Sequence, residues 1–363
     1  MPSTSHLAAS DIPTSDLAAE LRAILTGTAV AALKDVGWLR ITGQDATRWL
    51  NGMVTNAVNA LAPGEGCYNF LLNAQGRILG DCTIYRDPAS EAPAFLLETD
   101  ALQVNAIQEH LDRFIIMDDV ELAEVNDRQA GILIAGSQAL RTVQQLGGTP
   151  CSTPAPAQPI CWTGITLKQT IYRGSPVWLI LGHSPLVPRF EIWGNSETIA
   201  AISAELAATP RVGAAALEAL RVLSGVPRYG VDIRNTDKVH DLPQETAQDR
   251  ALHFAKGCYL GQEIVERIRS RGSVHRTFTG FIVTGDLPSA GTELSTESAP
   301  RPVGELTSIA SIPHAAIDPG AQPDAKPFQL ALGYIRREML DRNLPLSYPG
   351  GTAVPASLPF KLP

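Results

Sequence analysis

The chain has 363 residues, of which 44% are hydrophobic and 18% are charged, and its formal net charge is −8. This composition is typical of a folded globular protein, and the length favours two or three domains over a single core. The acidic balance argues against general electrostatic attachment to nucleic acid or to anionic membranes, so neither direct DNA binding nor membrane binding is expected.

The N-terminal segment, residues 1–16, is rich in Ser, Thr and Pro and is predicted to be disordered. It has no Lys or Arg before Arg22, whereas secretory signals begin with basic residues and mitochondrial presequences are rich in arginine. No apolar run in the chain approaches the roughly 20 residues that cross a bilayer. A cytoplasmic location is therefore the expectation. A helix is predicted next, from Asp16 to about Leu25.

Hydrophobic periodicity and turn residues predict short alternating elements through the first half of the chain. In order, these are two short strands within Ala31–Ile41 separated at Asp35–Gly37, a short helix from an Asp45 cap to Leu50 that ends at Asn51-Gly52, the strands Cys67–Leu72 and Arg77–Arg86 joined by the hairpin turn Asn73–Gly76, the strand Phe95–Glu98, the helix Leu102–Arg113, the strand Gly131–Ala135 and a helix up to Leu146.

A carboxylate lies in the middle of the long predicted strand Arg77–Arg86. Alternation places Ile78 and Cys82 on one face of this strand, and Asp81 and Tyr85 on the other. Aspartate is disfavoured inside strands. The face that carries Asp81 therefore either contacts solvent or lines a cavity in which a carboxylate has a function.

The second half begins with a proline-rich loop, Thr149–Pro159, which is a possible domain boundary. The elements predicted after it are the strands Gly164–Tyr172, Trp178–Leu181 and Arg189–Trp193 and the helices Ser196–Ala208 and Ala214–Leu223. From Ser273 onwards short strands separated by Pro, Gly and Ser predict a small all-β barrel or sandwich. Its predicted strands are Arg276–Val283, Glu293–Ser295 and Leu330–Arg336, with residues 297–328 partly loop.

The most distinctive stretch is Lys256–Glu263, which reads Lys-Gly-Cys-Tyr-Leu-Gly-Gln-Glu. Apolar residues at helical spacing follow it, so Cys258 is predicted to lie in a glycine-flanked turn just before a helix. The positive helix end, Lys256 and, if it folds back, Arg267 would favour the thiolate. Cys258 is then a candidate nucleophile, cluster ligand or redox sensor. The alternative is a small apolar residue buried in a tight turn.

The cysteines do not show the pattern of a resident metal site or of a disulfide framework. They are Cys67, Cys82, Cys151, Cys161 and Cys258. Their odd number and the absence of Cys-x-x-Cys spacing fit neither a disulfide framework nor a structural zinc site. A metal role for Cys258, as an iron ligand, would need further ligands from a partner protein.

The stretch Lys256–Glu263 resembles the signature of the YgfZ-type folate-binding proteins. That family includes the mitochondrial iron–sulfur assembly factors and is related to the glycine-cleavage T-protein, an aminomethyltransferase. Further segments match in the family's order along the chain. They are Leu50–Asn56, Leu72–Ile78, Leu217–Arg221, Gly225–Pro227, Gly230–Ile233, Pro243–Glu245, Gly304–Ser308 and Ala331–Arg336.

The resemblance implies an α+β fold arranged as a ring of three domains. Two interleaved α+β domains would occupy residues 17–272, with a possible boundary near 149–160. An antiparallel β-barrel would occupy residues 273–363. The central hole of such a ring is implied to hold tetrahydrofolate or another reduced folate.

The resemblance also implies roles for particular residues. Asp81 matches the T-protein carboxylate that faces the folate and is essential for aminomethyl transfer. Glu191 matches the glutamate that holds the pterin ring. The candidates for an aromatic slot around the p-aminobenzoyl ring are Tyr68, Tyr85 and Tyr229. However, the helix Ala214–Leu223 lacks the Arg-Asp pair of T-proteins, and T-proteins lack the Cys258 motif.

A basic stretch follows the motif in this otherwise acidic chain. It consists of Arg267, Arg269, Arg271, His275 and Arg276. Three interpretations compete: binding of the folate glutamate tail, contact with RNA or a partner protein, and a solvated helix face.

The leading hypothesis is a tetrahydrofolate-binding accessory protein for iron–sulfur cluster assembly or repair, including that of tRNA-thiolating radical enzymes. It would act through Cys258 on partner iron–sulfur assembly proteins or iron–sulfur enzymes, with Lys256 as a neighbouring catalytic group. The first alternative is a tetrahydrofolate-dependent one-carbon transferase or demethylase with Asp81 as the catalytic carboxylate. The second is a non-catalytic scaffold.

Overall fold

A computed structural model describes residues 14–125, 130–148, 165–272, 274–296, 301–318, 320–322, 325–340 and 346–361. Residues 1–13 of the predicted tail, the predicted boundary loop Thr149–Pro159, and Cys151 and Cys161 lie outside these ranges. Residues 14–16, which were predicted to belong to the tail, instead begin the first helix. No helix in the described ranges is both long and apolar enough to cross a membrane.

Eight α-helices connect the strands of the described chain. They are α1 (Thr14–Thr26), α2 (Ala46–Met53), α3 (Val104–Asp112), α4 (Ala139–Gln145), α5 (Ser196–Glu205), α6 (Ala214–Ser224), α7 (Gln262–Arg271) and α8 (Arg337–Leu340). The strands are β1 (Ala29–Leu33), β2 (Val36–Thr42), β3 (Gly66–Leu72), β4 (Ile78–Arg86), β5 (Phe95–Asp100), β6 (Glu121–Glu124), β7 (Ala130–Ala135), β8 (Thr166–Tyr172), β9 (Ser175–Leu181), β10 (Arg189–Gly194), β11 (Arg276–Gly285), β12 (Glu293–Leu294), β13 (Gly304–Ile312), β14 (Phe328–Arg336), β15 (Leu346–Tyr348) and β16 (Gly351–Ala356).

The strands form three antiparallel sheets. The first sheet has the order β3-β4-β5-β2-β6, and the second sheet has the order β1-β7-β10-β9-β8. Strands β1 and β2 are adjacent in sequence yet belong to different sheets, so the two N-terminal units are interleaved. The predicted boundaries of the domains stay a prediction.

The third sheet, β12-β13-β14-β11-β16-β15, curls into a barrel. Its two edges meet because Ser295, directly after β12, exchanges two backbone hydrogen bonds of 2.9 Å with Ser347 of β15. Closure of this kind removes the exposed edges on which strands of other chains could pair. The barrel predicted for the C-terminal region is therefore present.

The first two sheets contact each other through an aromatic cluster. Trp38 of β2 lies at the centre, with its ring centroid 5.1 Å from that of Trp178 and 5.8 Å from that of Trp193 in the second sheet. Tyr85 of β4 lies 6.0 Å away on the first sheet. Edge-to-face packing of buried rings is favourable, so this cluster fixes how the two sheets face each other.

Two local predictions differ from the structure. Helix α2 continues through Asn51-Gly52 to Met53, and the Asp45 side chain does not cap it. The Asp45 carboxylate instead accepts hydrogen bonds from Arg48 and from the backbone N–H of Asp119. Strand β13 lies in a stretch predicted to be partly loop, because the many prolines on both sides of it masked a regular strand.

Candidate functional site

Strand β4 presents Asp81 on the face predicted from alternation. The residues Cys82 and Ile84 are buried in the core on the opposite face. A register shift at the start of β4 instead places Ile78, which was predicted on that face, in a separate buried cluster with Tyr68 and Phe70. Cross-strand neighbours extend the Asp81 face into a row: Tyr68 of β3 pairs with Thr83 of β4, which pairs with Glu98 of β5. Polar groups from three strands therefore share one surface of the first sheet.

Two side chains hold the Asp81 carboxylate. The Tyr68 hydroxyl donates a 2.6 Å hydrogen bond to Oδ2, and the Gln103 amide donates one of 2.9 Å to Oδ1. The Gln103 carbonyl accepts from the Asp81 backbone N–H at 3.2 Å. Burial raises the pKa of Asp81, while these two hydrogen bonds and the charge of Arg250 oppose the rise.

Arg250 completes this group, which we name the Asp81 group: Asp81, Tyr68, Gln103 and Arg250. The Arg250 guanidinium lies over the Tyr68 ring, 4.0 Å from its centroid. Such a cation–π contact stabilises both side chains. Burial, followed by the charges of Arg250 and Arg189, lowers the pKa of nearby His183 to about 4, so His183 is neutral near pH 7.

A second polar group lies where the two sheets meet. We name it the inter-sheet group: Tyr85, Glu98, Arg189, Glu191 and Trp193. Tyr85 donates a 2.7 Å hydrogen bond to Glu98. Arg189 and the Trp193 indole donate to the two oxygens of Glu191 at 2.5 and 2.9 Å. Two carboxylates thus share one guanidinium, and Glu191 is only 2% exposed.

The proximity of the two carboxylates affects the protonation of Glu98. Burial, and then the charge of Glu191, raise the pKa of Glu98 to about 8, against the Tyr85 hydroxyl and the charge of Arg189. Two buried donors near this contact, Trp38 Nε1 and Arg189 Nε, have no acceptor in the described part of the chain. Unsatisfied buried polar atoms are uncommon in folded proteins and often mark a place for a ligand or an ordered water.

The predicted aromatic slot is only partly available. Tyr85 is 1% exposed and packs inside the aromatic cluster, so its ring has no free face. The Tyr68 ring is covered by Arg250. Tyr229 is half-buried and donates a 2.6 Å hydrogen bond to the Leu79 carbonyl on β4, next to the Asp81 group. The proposed contacts of these tyrosines with a ligand stay predictions.

Cys258 is exposed, in an irregular segment that ends at the α7 N-cap, Gly261. This segment is fixed to the end of α2 and the residues after it. Backbone hydrogen bonds join Leu260 N to Gly52 O at 3.0 Å and His253 N to Thr55 O at 3.1 Å. The alternative of a buried small residue is excluded, because the thiol is held at the surface on an anchored segment.

Lys256 provides a large part of that anchoring. Its ammonium donates 2.5 Å hydrogen bonds to the carbonyls of Asn51 and Val54, at the C-terminal end of α2. Cations are favoured at helix C-termini, where carbonyls lack intrahelical partners. Burial lowers the pKa of Lys256 to about 8, and the nearby Cys67 opposes this. The ammonium thus binds the carbonyls at the end of α2. Its catalytic role beside Cys258 stays a prediction.

A backbone contact joins the Cys258 segment to the hairpin that begins β4. Gly261 has a φ of +83°, and a Cβ there would lie 2.5 Å from the Asn73 carbonyl oxygen. Gly76, with a φ of +71°, lies against the same turn, and a Cβ there would lie 2.8 Å from Ile264 Cβ. Only glycine fits both the conformation and the space.

The basic stretch after Cys258 is mostly paired. Arg267 forms an exposed ion pair with Glu263 at 2.8 Å, four residues earlier on α7. Arg269 approaches Glu266 at 3.4 Å and lies over the Phe254 ring. Exposed pairs of this kind contribute little free energy. This arrangement is that of a solvated helix face, and binding of a folate tail by Arg267 stays a prediction.

Glu98, Gln103 and Arg250 belong to these two groups although the sequence did not single them out, and His183 lies near Arg250. Glu98 offered a signal, since it directly follows the apolar run Phe95–Leu97 in β5. Arg250 and Gln103 lie in loops or at a helix start, where no periodicity marks them. In the described ranges, no three His, Cys, Asp or Glu side chains come together as metal ligands.

The whole architecture is that of an aminomethyltransferase. Over 94% of this chain and 88% of that protein, it superposes on the glycine cleavage system aminomethyltransferase T from Bartonella henselae with a TM-score of 0.74 and 17% sequence identity. The predicted fold class is confirmed. This likeness concerns the fold alone.

The sequence comparison defines the family. The chain belongs to the GCVT N-terminal domain family, whose sequence model matches residues 9–249. The resemblance inferred from the motifs is therefore confirmed at the level of the family.

Relatives with assigned names fall into two groups. An iron-sulfur cluster assembly factor IBA57 homolog, mitochondrial, from Pyricularia oryzae is 32% identical over 68% of this chain and 55% of its own length. The same-named protein from Neurospora crassa is 25% identical over 66% and 50%, respectively. An aminomethyltransferase from Deinococcus deserti is 27% identical over 63% and 61%. The chain thus spans about half the length of the assembly factors.

These names contradict the expected cytoplasmic location, because the related assembly factors are named as mitochondrial proteins. The expectation was wrong because it rested on the lack of basic targeting residues in the first part of the chain. The lack of one signal does not identify a compartment.

Proposed function

We propose that this protein is a folate-binding accessory factor for the assembly or repair of iron–sulfur proteins, which acts through Cys258. The observation that carries the proposal is the exposed thiol on a segment fixed to α2 by Lys256 and by backbone hydrogen bonds. The relatives named as iron–sulfur cluster assembly factors support the process. The proposal includes binding of tetrahydrofolate and tRNA-thiolating enzymes as targets. We also propose the domain boundaries given above.

A thiolate is a soft ligand that suits iron in clusters. One thiol supplies a quarter of the usual four, so the remaining ligands would come from the partner's cysteines. The partner would thus be an iron–sulfur assembly protein or an iron–sulfur enzyme with an open ligand position. The anchored backbone around Cys258 keeps the thiol outward without ordering cost at the time of docking.

The chemistry of the two polar groups fits a reduced folate. Asp81 and Glu191 are acceptors for pterin N–H donors, and such hydrogen bonds to charged groups are strong. The unsatisfied donors Trp38 Nε1 and Arg189 Nε offer bonds to ring acceptors. A folate, when bound, would supply a carrier for one-carbon groups. Arg250 would hold the Tyr68 side of the site in place.

The aminomethyltransferase fold and the retained Asp81 favour a second candidate, a tetrahydrofolate-dependent one-carbon transferase. In that case Asp81 would be the catalytic carboxylate and Cys258 would be dispensable. The two candidates differ in which residue abolishes activity, so substitutions separate them.

Genetic rescue tests the main proposal. The chain is expressed in cells that lack their own relative, and we expect it to restore the activity of an iron–sulfur dehydratase under oxidative stress. A zinc-dependent hydrolase in the same extract, which holds no cluster, should be unaffected. If the chain is expressed and folded but dehydratase activity stays at the level of cells without it, the proposal is wrong.

Asp81→Asn tests the folate site. We expect it to weaken binding of 5-formyltetrahydrofolate by roughly ten- to a hundredfold, since a charge-assisted hydrogen bond contributes about 1.5–3 kcal/mol. Titration calorimetry measures the dissociation constant. The control is Asp237→Asn, which changes an exposed carboxylate outside both polar groups. Equal affinities in all three proteins would show that Asp81 does not contact the folate.

A further inference from the structure

The inter-sheet group contains more carboxylate than cation. Glu191 receives both of its strong donors from β10 itself, Arg189 and Trp193. Glu98, on β5 of the other sheet, receives from the described residues only the Tyr85 hydroxyl, on Oε2. Burial and the nearby charge of Glu191 make ionisation of Glu98 costly.

The second oxygen of Glu98 is free for another contact. Glu98 is half-buried, and no donor in the described part of the chain reaches Oε1. Trp38, the cross-strand neighbour of Glu98 in β2, is 5% exposed and has an indole N–H without an acceptor. A carboxyl oxygen and an unsatisfied donor thus occur side by side at the border of the aromatic cluster.

We propose that Glu98 is a further ligand-contacting residue, which presents a neutral carboxyl group to a planar heterocycle that carries a carbonyl next to an N–H. A carboxylic acid offers one donor and one acceptor on adjacent atoms, and such a cyclic amide offers the complement. This inference rests on the proposed function, because a pterin contains that grouping. This role adds to that of Glu191, which accepts hydrogen bonds from Arg189 and Trp193.

The protonation of Glu98 sets a pH dependence. The titratable or charged groups that face it are Tyr85 on β4 and Arg189 and Glu191 on β10, and Cys82 lies nearby on the opposite face of the sheet. The pKa of Glu98, about 8, places the loss of its proton within an accessible range. Above that pH Glu98 carries a negative charge, and its donor to the ligand carbonyl is lost.

The experiment compares wild type with Glu98→Gln and Glu98→Ala, by titration with 5-formyltetrahydrofolate at pH 6.5 and pH 9. Glutamine keeps one donor and one acceptor, so its affinity at pH 6.5 should lie within about twofold of wild type, whereas alanine should lose about tenfold or more. Between the two pH values wild type should weaken by about tenfold more than Glu98→Gln, the expected deprotonation one unit above the pKa. The ligand's own titration is common to both proteins.

Failure of this inference is distinguishable from failure of the proposed function. If wild type binds and Glu98→Gln follows the same pH profile, the role of Glu98 is wrong and folate binding stands. If wild type binds no folate at either pH, the folate part of the proposed function is wrong. Infrared spectra without ligand test the proton itself: a carboxylic-acid band at pH 6.5 should disappear at pH 9 and be absent from Glu98→Gln. The same band in that variant would overturn the inference.

Discussion

Cys258→Ser is expected to reduce dehydratase rescue to the level of cells without the chain, while folate affinity and unfolding temperature stay at their wild-type values. The thiol is exposed and makes no hydrogen bond in the described part of the chain, so its replacement removes the sulfur and no packing. A hydroxyl is similar in size but is a poor ligand for iron in clusters. Rescue is measured as dehydratase activity per amount of expressed protein.

Cys67→Ser is the matched control for this substitution. Cys67 is half-buried, and burial raises the pKa of its thiol to about 11, so it is rarely a thiolate near neutral pH. The Cys67→Ser variant should therefore restore dehydratase activity as well as wild type does. Full rescue by Cys258→Ser, combined with loss of one-carbon transfer in Asp81→Asn, would instead establish the transferase alternative.

Arg221→Met is expected to lower the free energy of unfolding by about 3–5 kcal/mol, the range for breaking a buried ion pair. Arg221 of α6 donates to Asp232 at 2.6 Å and to Ser308 of the barrel at 2.6 Å. Asp232 is fully buried, so methionine would leave a carboxylate without its cation. Urea denaturation monitored by tryptophan fluorescence measures the change.

Arg267→Met provides the comparison on the surface. It removes an exposed pair with Glu263 on the same helix, and such pairs contribute about 0.3–0.5 kcal/mol. The two variants delete the same charge from different environments. Similar unfolding free energies would mean that Arg221 is not needed to hold α6 against the barrel.

Local patterns were sufficient where an element is amphipathic. The alternation in β4 predicted the buried positions of Cys82 and Ile84, although Tyr85 on the other face is buried too, and helical spacing predicted α7 after Cys258. The hairpin turn Asn73–Gly76 followed from its turn residues. The fold class followed from motifs that the family shares, since no periodicity states how three sheets are arranged.

The rest depends on contacts between distant parts of the chain. Lys256 meets the carbonyls of Asn51 and Val54 across about two hundred positions of sequence. The pairing of Glu98 with Glu191 arises only when two sheets meet. Charge and residue type identified Cys258 and Asp81 as unusual, but partners such as Arg250 become visible only in three dimensions.

The contact between Gly76 and Gly261 has a consequence for any partner that contacts the regions of both Asp81 and Cys258. Gly76 lies in the turn before β4, the strand that carries Asp81, and Gly261 ends the segment that carries Cys258. Because neither glycine leaves room for a side chain, substitutions there cannot gradually widen the backbone contact between the two segments. Substitutions could therefore change the chemistry at Asp81 or at Cys258 while the backbone contact between their segments is kept.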